Sequence, residues 1–147
     1  MKLYVGADHA GFELKRHLAH TLESWGHEVM DHGTHGPGRV DYPDFAAQVA
    51  RAVQSDPTSL GLLVCGSGIG VSMTANRFSG VRAVVAALEM QARLARQHND
   101  ANVLCLGERI TSAPLAEAIL EAFVTTDFEG GRHAQRVAKI DAVLTSP

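Results

Sequence analysis

Residues Leu62-Leu63-Val64-Cys65-Gly66-Ser67-Gly68-Ile69-Gly70-Val71-Ser72 run from an apolar strand pattern into a glycine-rich turn and then a helical one. A thiol at that junction can take and return a proton. The glycines after it let consecutive backbone N–H groups converge on an anion. A solitary cysteine ending a strand is more often an inert buried thiol; the glycine turn is what tips the reading toward chemistry. Spacing separates this turn from similar ones. A Walker A loop carries Lys after its last glycine, but Val71 follows Gly70. A low-molecular-weight phosphatase loop, C-x5-R, needs Arg where Val71 stands. A dinucleotide turn is the nearer rival, because Glu89 lies in the right range beyond Gly70. The spacing here is G-x-G-x-G, however, and the turn falls in the third βα unit, which leaves little chain for a second nucleotide-binding half.

Other candidates flank this turn. Asp8 and His9 follow the first strand, where an acid and an imidazole can reach a ligand; Ala10 breaks the D-x-D pattern of an aspartyl-phosphate enzyme. On its own, His9 is equally well explained as a helix cap or a solvated side chain. His98, in Arg96-Gln97-His98-Asn99-Asp100-Ala101-Asn102, ends a helix and is a candidate proton donor, with simple capping as the bland alternative. Arg109 follows the fifth strand. Arg132 and Arg136 lie four apart on one face of a helix that opens after Gly130-Gly131. Two guanidinium groups so placed suit a phosphate, although arginines on helices are usually just solvated. His27, His32 and His35 lack a third ligand set at defined spacing, so neither a metal nor another cofactor is expected.

The elements that must position these groups alternate as βα units. Strands are expected at Lys2 to Gly6, Glu28 to Asp31, Leu60 to Cys65, Arg82 to Ala86 and Val103 to Leu106. Leu14, Leu18, Leu22 and Trp25 mark one face of the first helix, and Gly26 supplies its left-handed stop. Pro43 opens the second helix, where its missing N–H costs nothing. Leu115, Ile119 and Phe123, then Val137, Ile140 and Leu144, read as core rows of later helices. The fold class is therefore α/β: a doubly wound, five-stranded parallel sheet in a Rossmann-like or flavodoxin-like three-layer sandwich, with strand order 2-1-3-4-5 expected. In that order the loops after strands 1 and 3 meet at the topological switch point and bring Asp8-His9 beside Cys65-Gly66-Ser67.

The 147 residues fit one domain, and 46% hydrophobic against 20% charged residues is an ordinary globular balance. A net charge of -3 without a basic block argues against nucleic acid or an anionic membrane as partner. The first residues carry no signal-peptide pattern and no apolar run is long enough for a membrane span, so the cytoplasm is the expected location. Cys65 and Cys105, the two cysteines, are not expected to form a disulfide framework.

In order along the chain, the Gly6 to Gly11 segment with Asp8-His9, Asp41-Tyr42-Pro43-Asp44, Cys65-Gly66-Ser67-Gly68-Ile69-Gly70, His98-Asn99-Asp100-Ala101-Asn102-Val103 and Phe128-Glu129-Gly130-Gly131-Arg132-His133 closely resemble the type B ribose-5-phosphate isomerase family. That family also includes galactose-6-phosphate isomerase subunits. The resemblance implies an aldose–ketose isomerase in which Cys65 is the base, the N–H groups of Gly66 to Gly70 hold an enediolate, and Ser67 helps move a proton between the oxygens. It further implies that His98, with Asp8 near it, opens the furanose ring, that Tyr42 lines the sugar site and that Asn99 binds the enediolate or a hydroxyl. His9, Arg109, Arg132 and Arg136 would hold the phosphate. The physics agrees, because the conversion needs one base serving two carbons and fixed donors where oxyanion charge develops. Some relatives use a glutamate later in the glycine loop; Thr74 and Ala75 offer no carboxylate there.

Ala86-Ala87-Leu88-Glu89-Met90 departs from the polar stretch common in relatives, which bears on sugar preference. A tetrose 4-phosphate cannot close a furanose ring and needs no ring-opening acid, so His98 favours a pentose 5-phosphate. The resemblance also implies a homodimer, or a tetramer of such pairs, with shared sites: Cys65, Ser67 and His9 from one chain, His98, Asn99 and Arg109 from its partner. Isomerases of tetrose or hexose phosphates, a non-catalytic nucleotide or small-ligand module, and a structural subunit of a hetero-oligomer are the alternatives.

Overall fold

The computed structural model describes residues 1–145. Five strands form one parallel sheet: β1 (Lys2–Ala7), β2 (Glu28–Asp31), β3 (Leu60–Cys65), β4 (Ala83–Val85) and β5 (Val103–Gly107). Each lies within about a residue or two of its expected position. Their order is β2-β1-β3-β5-β4, which corrects the expected 2-1-3-4-5. Burial explains the exchange. Every residue of β5 is buried, as in β3, whereas β4 has three residues, none fully buried. A strand apolar on both faces belongs inside a parallel sheet, and a short, partly exposed one belongs at its edge.

The helices are α1 (Phe12–Ser24), α2 (Tyr42–Ser55), α3 (Ile69–Ala75), α4 (Glu89–Asn99), α5 (Ala113–Val124) and α6 (Arg132–Ala142). On one face of the sheet, Leu14, Leu18 and Leu22 of α1, Ala92 and Ala95 of α4, and Ile119 and Phe123 of α5 pack against alternate residues of β1, β3 and β5. On the other, Ala46, Val49, Ala50 and Val53 of α2 join Val71 and Ala75 of α3 against Leu63, Cys65, Val103 and Cys105. These are the three layers of a doubly wound sandwich.

Gly26 takes the left-handed conformation, at φ 87°, that stops the chain after α1. Trp25, Leu115, Ile140 and Leu144 are exposed, not core as their periodicity implied. The helical rows are present, but α6 packs against α4 rather than on the sheet, and it buries only His133 and Val137. Among the described residues, no helix is long and apolar enough to cross a membrane.

Candidate active site

The carboxyl ends of β1, β3 and β5 lie side by side, and their loops build one site. β3 ends on Cys65, which is almost fully buried. The chain then turns through Gly68, whose φ of 78° suits glycine and lets its N–H donate to Cys65 Sγ at 3.1 Å. Ile69 N–H donates to Ser67 Oγ at 3.2 Å. A Cβ on Gly70 would stand 2.5 Å from Tyr42 Cζ, so only glycine lets the Tyr42 ring rest on the turn. Tyr42, the first residue of α2, thereby joins the α2 entry to the cysteine turn.

Asp8 and His9 leave β1 beside this turn, and Asp8 N–H donates to Val64 O at 3.3 Å. The buried Asp8 carboxylate accepts from Ala10 N–H at 2.9 Å and Gly11 N–H at 3.0 Å through Oδ1. That shapes the loop. His9 Nδ1 meets both the Val40 N–H and the Val40 carbonyl at 3.2 Å. Asp8, His9, Arg39 and Tyr42 are among the residues lining a cavity of about 470 Å³. Sequence reasoning missed Arg39, which is exposed and, among the described residues, makes no ion pair or hydrogen bond. Its place two residues before Asp41-Tyr42-Pro43 was the available signal.

Arg109 belongs with Cys65 in the same chain, which corrects its expected origin in the partner. Its backbone N–H donates to Gly66 O at 3.0 Å, and its guanidinium Nη1 lies 3.0 Å from where a Gly66 Cβ would stand. The cause is the strand order: β5 lies beside β3, Cys65 pairs with Gly107, and Arg109 follows two residues later. The same order removes the stretch after β4 from the Cys65 turn by one intervening strand. The departure at Ala86 to Met90 thus lies apart from the cysteine of its own chain.

His98, Asn99, Arg132 and Arg136 are not brought to Cys65 within this chain. α4 ends at the opposite edge of the sheet, where Gly61 pairs with Val103. Four strand steps from there to Cys65 cover about 13 Å. Glu129 N–H donates to Gln97 O at 3.1 Å, fixing the start of α6 against the end of α4. His98 and His133 stack there, centroids 4.3 Å apart and planes 12° from parallel. With Glu129 they bring three potential ligand atoms within 4.8 Å of one another. An ion bound by both imidazoles must lie near both ring planes, which stacked rings do not permit; the arrangement suits a stacked pair. His32 instead stands by Tyr4, and His35 by Asp31.

The two cysteines have different surroundings. Burial, and then neighbouring Cys65, pushes the Cys105 thiol far above its usual range, so it stays protonated inside β5. Cys65 ends its strand at the loops, where the Gly68 N–H donates to its sulfur and the Arg109 guanidinium lies over neighbouring Gly66. This sheet edge can hold an anionic ligand and move a proton next to it.

Such a site at the switch point of a doubly wound sheet defines a class of small-anion-binding α/β proteins. The chain belongs to the Ribose/Galactose Isomerase family, whose sequence pattern matches residues 3–140. It is 46% identical over 142 residues to ribose-5-phosphate isomerase B of Escherichia coli K12, covering 97% of this chain and 95% of that protein. Among solved structures it is similar to ribose-5-phosphate isomerase B of Clostridium thermocellum, with a TM-score of 0.97 at 47% identity, covering 99% and 98% of the two chains. The Mycoplasma genitalium enzyme with bound ribulose-5-phosphate matches with a TM-score of 0.95 at 38% identity, covering 99% and 97%.

Proposed function

We propose that this chain interconverts ribose 5-phosphate and ribulose 5-phosphate, with Cys65 as the base. The observation that carries the reading is the Cys65 sulfur at the end of β3, accepting the Gly68 N–H and bordered by Arg109 over Gly66 and Tyr42 over Gly70. In the open-chain aldose, the thiolate takes the proton from C2 as the C1 carbonyl becomes an oxyanion. Backbone N–H groups of the turn hold that enediolate. Ser67 carries a proton from O2 to O1, and the thiol returns its proton to C1, which leaves the ketose and a thiolate.

His98 is the acid that opens the ring, and it comes from a second copy of the chain together with Asn99, Arg132 and Arg136. The separation of about 13 Å or more along the sheet supports this division. His9 and Arg109 from one copy, and Arg132 and Arg136 from the other, grip the phosphate. Asp8 holds the loop that presents His9. The test is turnover of ribose 5-phosphate by the purified chain without added cofactor, beside tetrose 4-phosphates and hexose 6-phosphates. Ribose 5-phosphate is expected to give the highest kcat/KM. Absence of turnover would sink the reading, and a higher kcat/KM on a tetrose or hexose phosphate would reassign the substrate.

A further inference from the structure

The side chains around His98 have no part in the steps from aldose to ketose. Glu129 Oε2 stands 3.6 Å from His133 Nε2 and 4.0 Å from His98 Nε2. Among the described residues, His133 Nε2 is the one buried side-chain nitrogen or oxygen without a hydrogen-bond partner. Leaving such an atom unpaired costs free energy, and cysteine, leucine or phenylalanine would fill the space without that cost. The ring is better explained by what it stacks on.

Two imidazolium rings with centroids 4.3 Å apart repel, so the stack holds one proton more readily than two. The surroundings decide which ring stays neutral. Burial first, then His98 and Arg132, hold His133 below the usual histidine range; Arg136 adds in the same direction and Glu129 opposes. The His98 side chain is 37% exposed and can exchange a proton with a ligand. The other charges facing the stack come from α6 and the segment before it, namely Glu129, Arg132 and Arg136. On α4, Arg96 is paired with Asp100. Of the two stacked rings, the exposed one is the one placed for acid chemistry.

We propose that His133 and Glu129 are positioning residues for His98: His133 holds the His98 imidazole by stacking, and Glu129 faces the proton that His98 delivers to the sugar ring oxygen. This rests on the reading of His98 as the ring-opening acid. Ribulose 5-phosphate, whose O5 is esterified, cannot close a furanose ring, so its C1 proton exchange with D2O reports the Cys65 step alone. Ribose 5-phosphate arrives cyclic and needs the acid as well.

The experiment compares Glu129→Gln, His133→Phe, His133→Ala and His98→Asn on both measurements across pH, with His98 followed by NMR of its ring C–H. Glu129→Gln removes the negative charge that favours the protonated pair, so the alkaline limb of kcat/KM on ribose 5-phosphate should move to lower pH. His133→Phe keeps a stacking ring but no second proton site, so the His98 ring signals should lose the response below the usual histidine range that His133 gives them in the wild type. A ring that stacks is what the role requires, so its kcat/KM on ribose 5-phosphate should stay within about twofold, whereas His133→Ala, which removes the ring, should lose roughly tenfold or more; exchange into ribulose 5-phosphate stays within about twofold in both. If His98→Asn abolishes turnover of the cyclic sugar while Glu129→Gln keeps the wild-type pH limb and His133→Ala keeps the wild-type kcat/KM, the positioning role is overturned and the acid reading stands. If His98→Asn turns over ribose 5-phosphate normally, both fall. Glu129 is half exposed, so its variant keeps the test decisive even if a His133 variant misfolds.

Discussion

At the residue scale, the two cysteines share a sheet and differ in what faces their sulfurs. Cys65 ends its strand beneath a glycine turn, while Cys105 of β5 is fully buried in the apolar layer between the sheet and helices α2 and α3. Replacing Cys65 by Ala should lower kcat by about 10²-fold or more with little change in ligand binding, as expected for loss of a general base. Cys105→Ala should keep kcat and lose about 1 kcal/mol of stability through a small cavity. Steady-state kinetics and urea unfolding of both variants check this. Near-normal turnover by Cys65→Ala would remove it as the base.

At the element scale, Lys15 of α1 does for the loop after β2 what Gly68 does for the turn after β3. Its ammonium is 1% exposed and donates to both Asp31 carboxylate oxygens at 2.7 Å and to Thr34 O at 2.8 Å. The clamp ties the end of β2 to α1. The loop that follows then runs to Val40, which holds His9, and to Tyr42, which rests on Gly70. Lys15→Met fills the same space without the charge. It should cost about 3 kcal/mol, the low end for a broken buried pair because Asp31 can still reach water. Since the loop also carries the partners of His9, KM for the sugar phosphate should rise as well. Chemical denaturation and saturation kinetics read the two effects; unchanged stability would show that Lys15 is not a clamp.

At the scale of the whole molecule, the sheet separates two groups of candidate site residues. Asp8, His9, Tyr42, Cys65, Ser67 and Arg109 lie at its carboxyl edge, and His98, Asn99, Arg132 and Arg136 at the other end. In a two-fold dimer each half meets its complement from the other copy, twice. Mixing Cys65→Ala chains with His98→Asn chains, each inactive alone, should form mixed dimers with one doubly defective and one intact site. Random re-pairing of equal amounts makes half the dimers mixed, so roughly a quarter of wild-type activity should return. A mixture shown by mass spectrometry to have exchanged subunits, yet still inactive, would rule out the shared site.

Local chemistry was enough to read the strands, the Gly26 stop, the Pro43 helix start and the Cys65 turn, because each depends on spacing and conformational preference within a few residues. The meeting of Asp8-His9 with Cys65 also followed, since β1 and β3 adjoin in either strand order. The neighbour of β3 on its other side did not. It depends on whether β4 or β5 better tolerates an exposed edge, a comparison of burial across the whole sheet, and it set Arg109 beside Gly66 of its own chain. Leu115 and Ile140 kept their helical period while Trp25 and Leu144 fell just past the ends of α1 and α6, and periodicity marks a face without saying what covers it. The stack of His98 on His133 lay beyond local reading for the same reason: 35 residues separate them in the chain, and only the packing of α6 against α4 brings their rings together.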